Sequence, residues 1–522
     1  MKFDSIFSFL KNTLFTKFFI LCILFANLSS AQDRHWGELI KDPKVKINEI
    51  KESFDQEWKD KEYQKGKGFK QFNRWFNFWE NRLLPNGEFP IFSKGFNEFV
   101  NFQNSFPLAS ENNDGVQWTA VGPLDYQYTQ SWSPGQGRVN CIEEDPNNNQ
   151  IIYAGTPAGG LWKTIDGGIN WQPISDFLSV IGISSIAINP SNNLEIYIAT
   201  GDADGGDTYS IGIWKSENGG EDWYQTSFPS FQANKIIIDS QNNNIIWAAS
   251  NSGLYKSENS GVDWQLYYNG NIRDLALASG NNEIIYFSTN NEVYYSFDGG
   301  QNFSQSNGLT GNKSRIAITV SEADPSLVYI LTAAPDQSFA GVYKSENYGQ
   351  DFVLQNNNTD IFDGSTQAYY DMAITVSQTD PNFLVAGVLN LWKSYNGGLD
   401  WTPVNSWSNP SQESYTHADI HFLKYFNNTL YCGSDGGIYK STNDALSFND
   451  LSQKLQIGQF YKISTNQINP FIVSGGLQDN GGFYYNGQNW IVWHGADGME
   501  SIISPYNSSE IYGMIQFGGL YS

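Results

Sequence analysis

The stretch LWKTIDGGINW, residues 161–171, sets a threonine, an aspartate, two glycines and a tryptophan at fixed spacing. The same phrase returns as KSENGGEDW (215–223), KSENSGVDW (256–264), YSFDGGQNF (295–303), KSENYGQDF (344–352), KSYNGGLDW (393–401) and KSTNDALSF (440–448). The Ser or Thr that opens it falls at Thr164, Ser216, Ser257, Ser296, Ser345, Ser394 and Ser441. That is one copy roughly every 40–50 residues, the length of a four-stranded unit. One copy would be a turn; seven copies are a folding device. The Asp or Asn oxygen can accept hydrogen bonds from the turn's own N–H groups, and the glycines supply positive φ. The aromatic that follows is expected to fill the gap between neighbouring units.

The residues between the phrases share a grammar. In one unit, SSIAINP, SNNLE, IYIATGD, GIWKSENGG and DWYQTSF alternate short apolar runs with Asn/Gly/Pro clusters, the pattern of an antiparallel meander. Such a unit cannot bury both faces alone, so stacking around an axis is expected. The predicted fold is all-β, a β-propeller of four-stranded antiparallel blades. Two more units begin after the seventh phrase, in residues 460–490 and 501–522. At least nine units therefore start, in one large ring or two. Trp118, in QWTAVGP, resembles a fourth-strand phrase and is expected to complete the last blade. The ending FGGLYS matches the third-strand opening AGGLWKT, so the repeats read as C-terminally incomplete.

Residues 1–31 read as a signal peptide: Lys2, Lys11 and Lys17 precede the apolar run FFILCILFANL, with small residues before Gln32. The expected mature protein is secreted or at the cell surface, and no segment is long enough for a membrane span. Residues 32–112 read as a helical leader and linker, with Phe54 and Trp58, and Trp75 and Trp79, each pair on one helix face. Residues 113–522 hold the repeats. The formal net charge of −24, from 54 Asp+Glu against 30 Lys+Arg, argues against nucleic acid or anionic membrane as partner. A monomer is expected. Cys141 and Cys432, which remain after the signal, are expected to be buried and unpaired.

With its repeated turn the chain resembles the Asp-box (BNR-type) propellers, which include sialidases, the two-propeller xyloglucan-hydrolysing enzymes and the sortilin N-terminal domain. The segments GKGFKQFNRWFNFWENRLLPNGEFP, GRVNCIEEDPNNNQIIYAGTPAGGLWKT and GGLQDNGG are similar to large secreted proteins of Bacteroidetes-type bacteria exported by the type IX system. The arginine-containing opening motif of sialidases is absent. GQGRVNCIEED also lacks an aspartate where the xyloglucan-hydrolysing family's first-blade catalytic residue is expected.

Chemistry is expected at one channel mouth. Asp202, Asp435, Asp479 and Asp497 sit in Asp-Gly-type turns after second strands, and paired carboxylates are what glycoside hydrolysis requires. The same residues are also ordinary turn formers. THADIHF places His417, Asp419 and His421 at strand alternation, a run suited to a channel-lining cluster or to a metal. Arg138, Arg273 and Arg315 open first strands, and Arg138 joins the ligand-binding candidates. Asp202, Asp204 and Asp207 offer oxygens for calcium without a complete binding loop. No cofactor is expected beyond a bound calcium or other divalent metal. The first functional expectation is a secreted scaffold that binds a glycan or protein ligand; the alternative is a glycoside hydrolase using paired aspartates.

Overall fold

The computed structural model describes residues 35–40, 42, 45–64, 66–90, 98, 101–102, 105, 119–128, 131–229 and 232–522. The signal segment 1–31 and Trp118 lie outside the described residues. The chain forms two compact units: Met1–Gln64 with Phe69–Pro90, and Lys65–Gly68 with Ile91–Ser522.

The smaller unit is helical, with Trp36–Leu39 (α1), Ile47–Trp58 (α2) and Phe69–Trp79 (α3). The aromatic spacing places Phe54 and Trp58 on the buried side of α2, and Phe72, Trp75 and Trp79 on that of α3. The faces meet directly: Phe54 stacks on Phe72 with centroids 3.7 Å apart, and Trp36 packs edge-on against both rings. His35 fixes the entry to α1, accepting from the Gly37 amide at 3.0 Å through Nδ1 and meeting Glu57 at 3.1 Å through Nε2.

The larger unit is all-β. Among the described residues it contains nine sheets, in chain order seven of four strands, one of five and one of three. The first is Cys141–Asp145, Asn148–Gly155, Leu161–Thr164 and Gln172–Pro173; the second begins at Ile183–Ile188, the fifth at Arg315–Val320, the sixth at Ala373–Val376 and the seventh at Ile420–Phe426. The eighth holds Phe460–Thr465, Val473–Leu477, Gly481–Tyr485 and Trp490–His494, and the ninth Glu500–Ile503, Ile511–Met514 and Leu520–Tyr521. Within the first eight sheets consecutive strands pair antiparallel, so the meander grammar is obeyed throughout.

The predicted β-propeller is corrected. Among the described residues strand pairing stops at the edges of each of the nine sheets, and no sheet closes into a ring. The assignment to Asp-box, BNR-repeat propellers, and with it the choice between one large ring and two, is corrected on the same ground. The physical reason is that the repeat dictates a self-contained meander, while nothing in its turns dictates closure. An N-terminal strand does join a later sheet, but it is Gln127–Tyr128, which adds in parallel to Trp490–His494 as the fifth strand of the eighth sheet. The Trp490 indole N–H secures the same segment by donating to the Val121 carbonyl at 2.8 Å.

What holds the sheets to one another is side-chain packing. Ile183, Ile186 and Ile198 of the second sheet interleave with Tyr153 and Leu161 of the first, and Ile142, Ile152 and Trp162 of the first pack with Tyr431 and Ile438 of the seventh. The phrase tryptophans lie in these layers. Trp223 donates Nε1–H to the Ile174 carbonyl at 3.0 Å, and Trp171 donates to that of Leu451 at 2.9 Å. A buried aromatic that is also hydrogen-bonded contributes both area and register.

The turn itself behaves as its residues require. In the second sheet Ser216 Oγ accepts from the Gly220 amide at 2.9 Å and donates to Asn218 Oδ1 at 3.0 Å, which in turn accepts from the Asp222 amide at 2.9 Å. KSTNDALSF keeps these bonds without glycine: Ala445 N–H reaches Ser441 at 3.1 Å, with Asp444 and Ala445 held at φ 55° and 57°. The lysine that opens the phrase lies opposite an aromatic on the second strand. Lys163 over Tyr153, Lys215 over Tyr197, Lys256 over Trp247 and Lys440 over Tyr431 all stand 5.3–5.5 Å from the ring centroid. Cys141 and Cys432 are free and buried in different apolar layers.

Candidate functional site

The strand-start and second-strand-end residues of several sheets converge on one polar cluster. Its connecting piece is the segment before the first sheet. Gln136 N–H bonds the Gly436 carbonyl at 2.9 Å and Val139 N–H that of Ser434 at 3.0 Å. At Gly135 a Cβ would fall 2.1 Å from Asn480 Oδ1 and 2.5 Å from Gly436 Cα, so only glycine lets the first, seventh and eighth sheets meet there.

Asp435 occupies the turn after the second strand of the seventh sheet and is 2 % exposed. Its Oδ1 faces His421 Nε2 at 2.9 Å, and its Oδ2 accepts from the Tyr370 hydroxyl at 2.8 Å. His421 Nδ1 meets Asp204 Oδ2 at 3.1 Å, so the imidazole lies between two carboxylates. Burial opposes its charge, but the hydrogen bonds to Asp204 and Asp435 outweigh burial and raise its pKa to about 9. His421 is therefore an imidazolium at neutral pH, and both ring nitrogens donate.

Asp419 stands at φ 65° and Asp479 at φ 58°, left-handed conformations that aspartate tolerates better than most residues. Oxygens of Asp419, Asp435 and Asp479 lie within 4.8 Å of one another, and all three residues are buried. This trio is close enough to hold a divalent cation. Gln367 Nε2 ties Asp419 Oδ1 at 2.6 Å to Asp371 Oδ2 at 2.9 Å. Burial, with the Asp419 charge beside it, pushes the Asp371 carboxyl well above the usual carboxylate range. Asp497 supports the eighth-sheet member, its Oδ1 accepting from the Asp479 amide at 2.9 Å.

The four predicted aspartates thus divide. Asp435 and Asp479 come together, Asp497 braces Asp479, and Asp202 belongs to a neighbouring ion-pair group. Arg138 reaches Asp202 at 2.6 Å and Asp207 at 2.9 Å, while Arg315 reaches Asp204 at 2.9 Å. The predicted calcium oxygens of Asp202, Asp204 and Asp207 are thereby engaged by cationic side chains. The alternation read into THADIHF is also revised. The left-handed Asp419 breaks it, the strand starts at Ile420, and the close-set trio contains neither His417 nor His421. His417 Nδ1 lies 3.2 Å from the Ala418 carbonyl, and its ring packs where a Cβ on Gly436 would fall.

Sequence reasoning missed Tyr370, Gln367 and Asp371. They lie in the connection between the fifth and sixth sheets, DIFDGSTQAYYDM, which belongs to no repeat. Its length and its pair of tyrosines were the available signal.

No family model matches the chain. Among curated proteins it is similar to a xyloglucanase of Hypocrea jecorina, 24 % identical over 346 residues that cover 54 % of this chain and 40 % of the relative. A xyloglucanase of a Paenibacillus species is 24 % identical over 134 residues, covering 23 % and 13 %. The chain spans less than half the length of these curated relatives. Among solved structures it is similar to the GH74 xyloglucanase of Xanthomonas campestris, with a TM-score of 0.57 and 16 % identity over 75 % of this chain and 66 % of that one. An ancestral GH74 enzyme gives the same TM-score and identity over 76 % and 60 %. Among the described residues no helix is long and apolar enough to cross a membrane. The comparisons support a fold related to those enzymes at low identity.

Proposed function

We propose that this chain is an exported glycoside hydrolase that cleaves a polysaccharide with Asp435 and Asp479. One observation carries the reading: three buried carboxylates from two sheets approach within 4.8 Å of one another beside a buried imidazolium. Glycoside hydrolysis needs two carboxyl groups, one as acid and one as nucleophile or base. Asp435, held by His421 and Tyr370, takes the nucleophile or base role. Asp479, the most exposed of the three at 8 %, carries the proton to the leaving oxygen.

The likeness to xyloglucanases supports this enzymatic reading over the scaffold reading and makes xyloglucan the first substrate to test. Incubation with a polysaccharide panel, followed by a reducing-end assay, tests it. Release from at least one β-glucan is expected; no release from any polysaccharide would overturn it.

A further inference from the structure

Two side chains at the entrance to the first sheet keep polar atoms that the protein does not use. Arg138, 5 % exposed, gives Nη2 to Asp202 and Asp207, yet its Nη1 and Nε are buried without an acceptor. Asn140, 7 % exposed, donates Nδ2 to Asp202 Oδ1 at 3.1 Å, and its Oδ1 is buried without a donor. The amide cannot be reversed, because only its NH₂ end can face a carboxylate oxygen. Folded proteins leave few buried donors or acceptors unmet. Here donors and an acceptor are left on two side chains anchored to the two oxygens of one carboxylate.

The complement to such a pair is a group that accepts and donates at once, which is a hydroxyl. Gly205 packs against that side of the guanidinium, where a Cβ would lie 2.7 Å from Nη1, so no side chain at this position covers it. The guanidinium carbon stands 5.0 Å from the centre of the Tyr370 ring, whose hydroxyl binds Asp435. The position is therefore next to the carboxylate trio.

We infer that Arg138 and Asn140 form a hydroxyl-binding subsite that orients one sugar of the glycan against the carboxylates. The inference rests on the glycoside hydrolase reading for its ligand class. Water has the same chemistry, and the experiment separates the two. Binding of xyloglucan and cello-oligosaccharides is measured by calorimetry in an Asp479→Asn background, with Asn140→Ala added. An affinity loss of about tenfold is expected, the cost of one hydrogen bond to a bound ligand.

Arg138→Lys guards against misfolding of the alanine variant, since it keeps a charge for Asp202 and removes the two unused donors; a similar loss is expected. Affinity unchanged in both variants, or no binding of either oligosaccharide, overturns the subsite; unchanged affinity assigns the position to water. Binding that depends on Asn140 in a protein that hydrolyses nothing would leave the subsite standing and remove the hydrolase. Hydrolysis with KM unaffected by Asn140→Ala would do the reverse.

Discussion

The turns at the far end of the sheets and the carboxylate cluster at the opposite end are built from the same residue types by opposite means. In a turn, Ser216, Asn218 and Gly220 lie within five residues and satisfy one another. In the cluster, Asp435 is satisfied by His421 from its own sheet and by Tyr370 from a connection 65 residues away. Local satisfaction makes a part that can be copied seven times. Remote satisfaction makes a part that occurs once and collapses if any contributing sheet is displaced. An aspartate in a turn is therefore expected to affect stability, and one in the cluster to affect chemistry.

The largest effect that would sharpen this contrast belongs to the cluster. Asp479→Asn is expected to lower polysaccharide hydrolysis by about 10²–10⁴-fold, the usual contribution of a general acid, with thermal unfolding nearly unchanged. Reducing-end kinetics beside a melting curve checks it, and a melting shift without an activity loss would erase the distinction. At the turns the order reverses. Trp223→Ala should cost about 3–5 kcal/mol in denaturant unfolding, because an indole is removed from the layer between the first and second sheets. Ser216→Ala should cost about 1–3 kcal/mol by leaving the buried Gly220 amide without its acceptor.

The smallest effect concerns acid. Asp166 is held at about 2, below its ordinary 3.8, first by the Asn170 side chain and then by the Asn170 amide and Thr164. A depressed carboxylate gives stability that is present above its ordinary value and lost as pH falls through the folded one. Asp166→Asn should therefore flatten the decline in melting temperature between pH 4 and about pH 2, as the turns that already carry Asn would predict. An unchanged acid profile would show that the turn aspartates are not where that dependence resides.

The same contrast explains what could be read from the chain. The meanders and the turns at Thr164, Ser216 and Ser257 were legible because their partners lie a few residues away. Cys141 and Cys432 are buried and unpaired, as expected. The propeller inference failed because it extrapolated from local pattern to closure, which no turn residue encodes. Asp202, Asp435, Asp479 and Asp497 could be named together because their turns share a form, but the form does not tell which of them meet: Asp202 is held by Arg138 instead. Gln367, Tyr370 and Asp371 were missed because their partners Asp419 and Asp435 lie beyond any local window, and only the length and the tyrosine pair of their connection set it apart. Asp419 shows the limit most plainly: strand alternation presumes φ near the extended value, and φ of 65° at one residue redirects its neighbours.

The central claim is that Asp435 and Asp479 are a hydrolytic pair. Proton NMR of xyloglucan hydrolysis, recorded before the product mutarotates, tests it most directly. The expected result is a first-formed reducing end of a single anomeric configuration, absent with Asp479→Asn. No reducing end from wild-type protein, or release unaffected by Asp479→Asn, would contradict it.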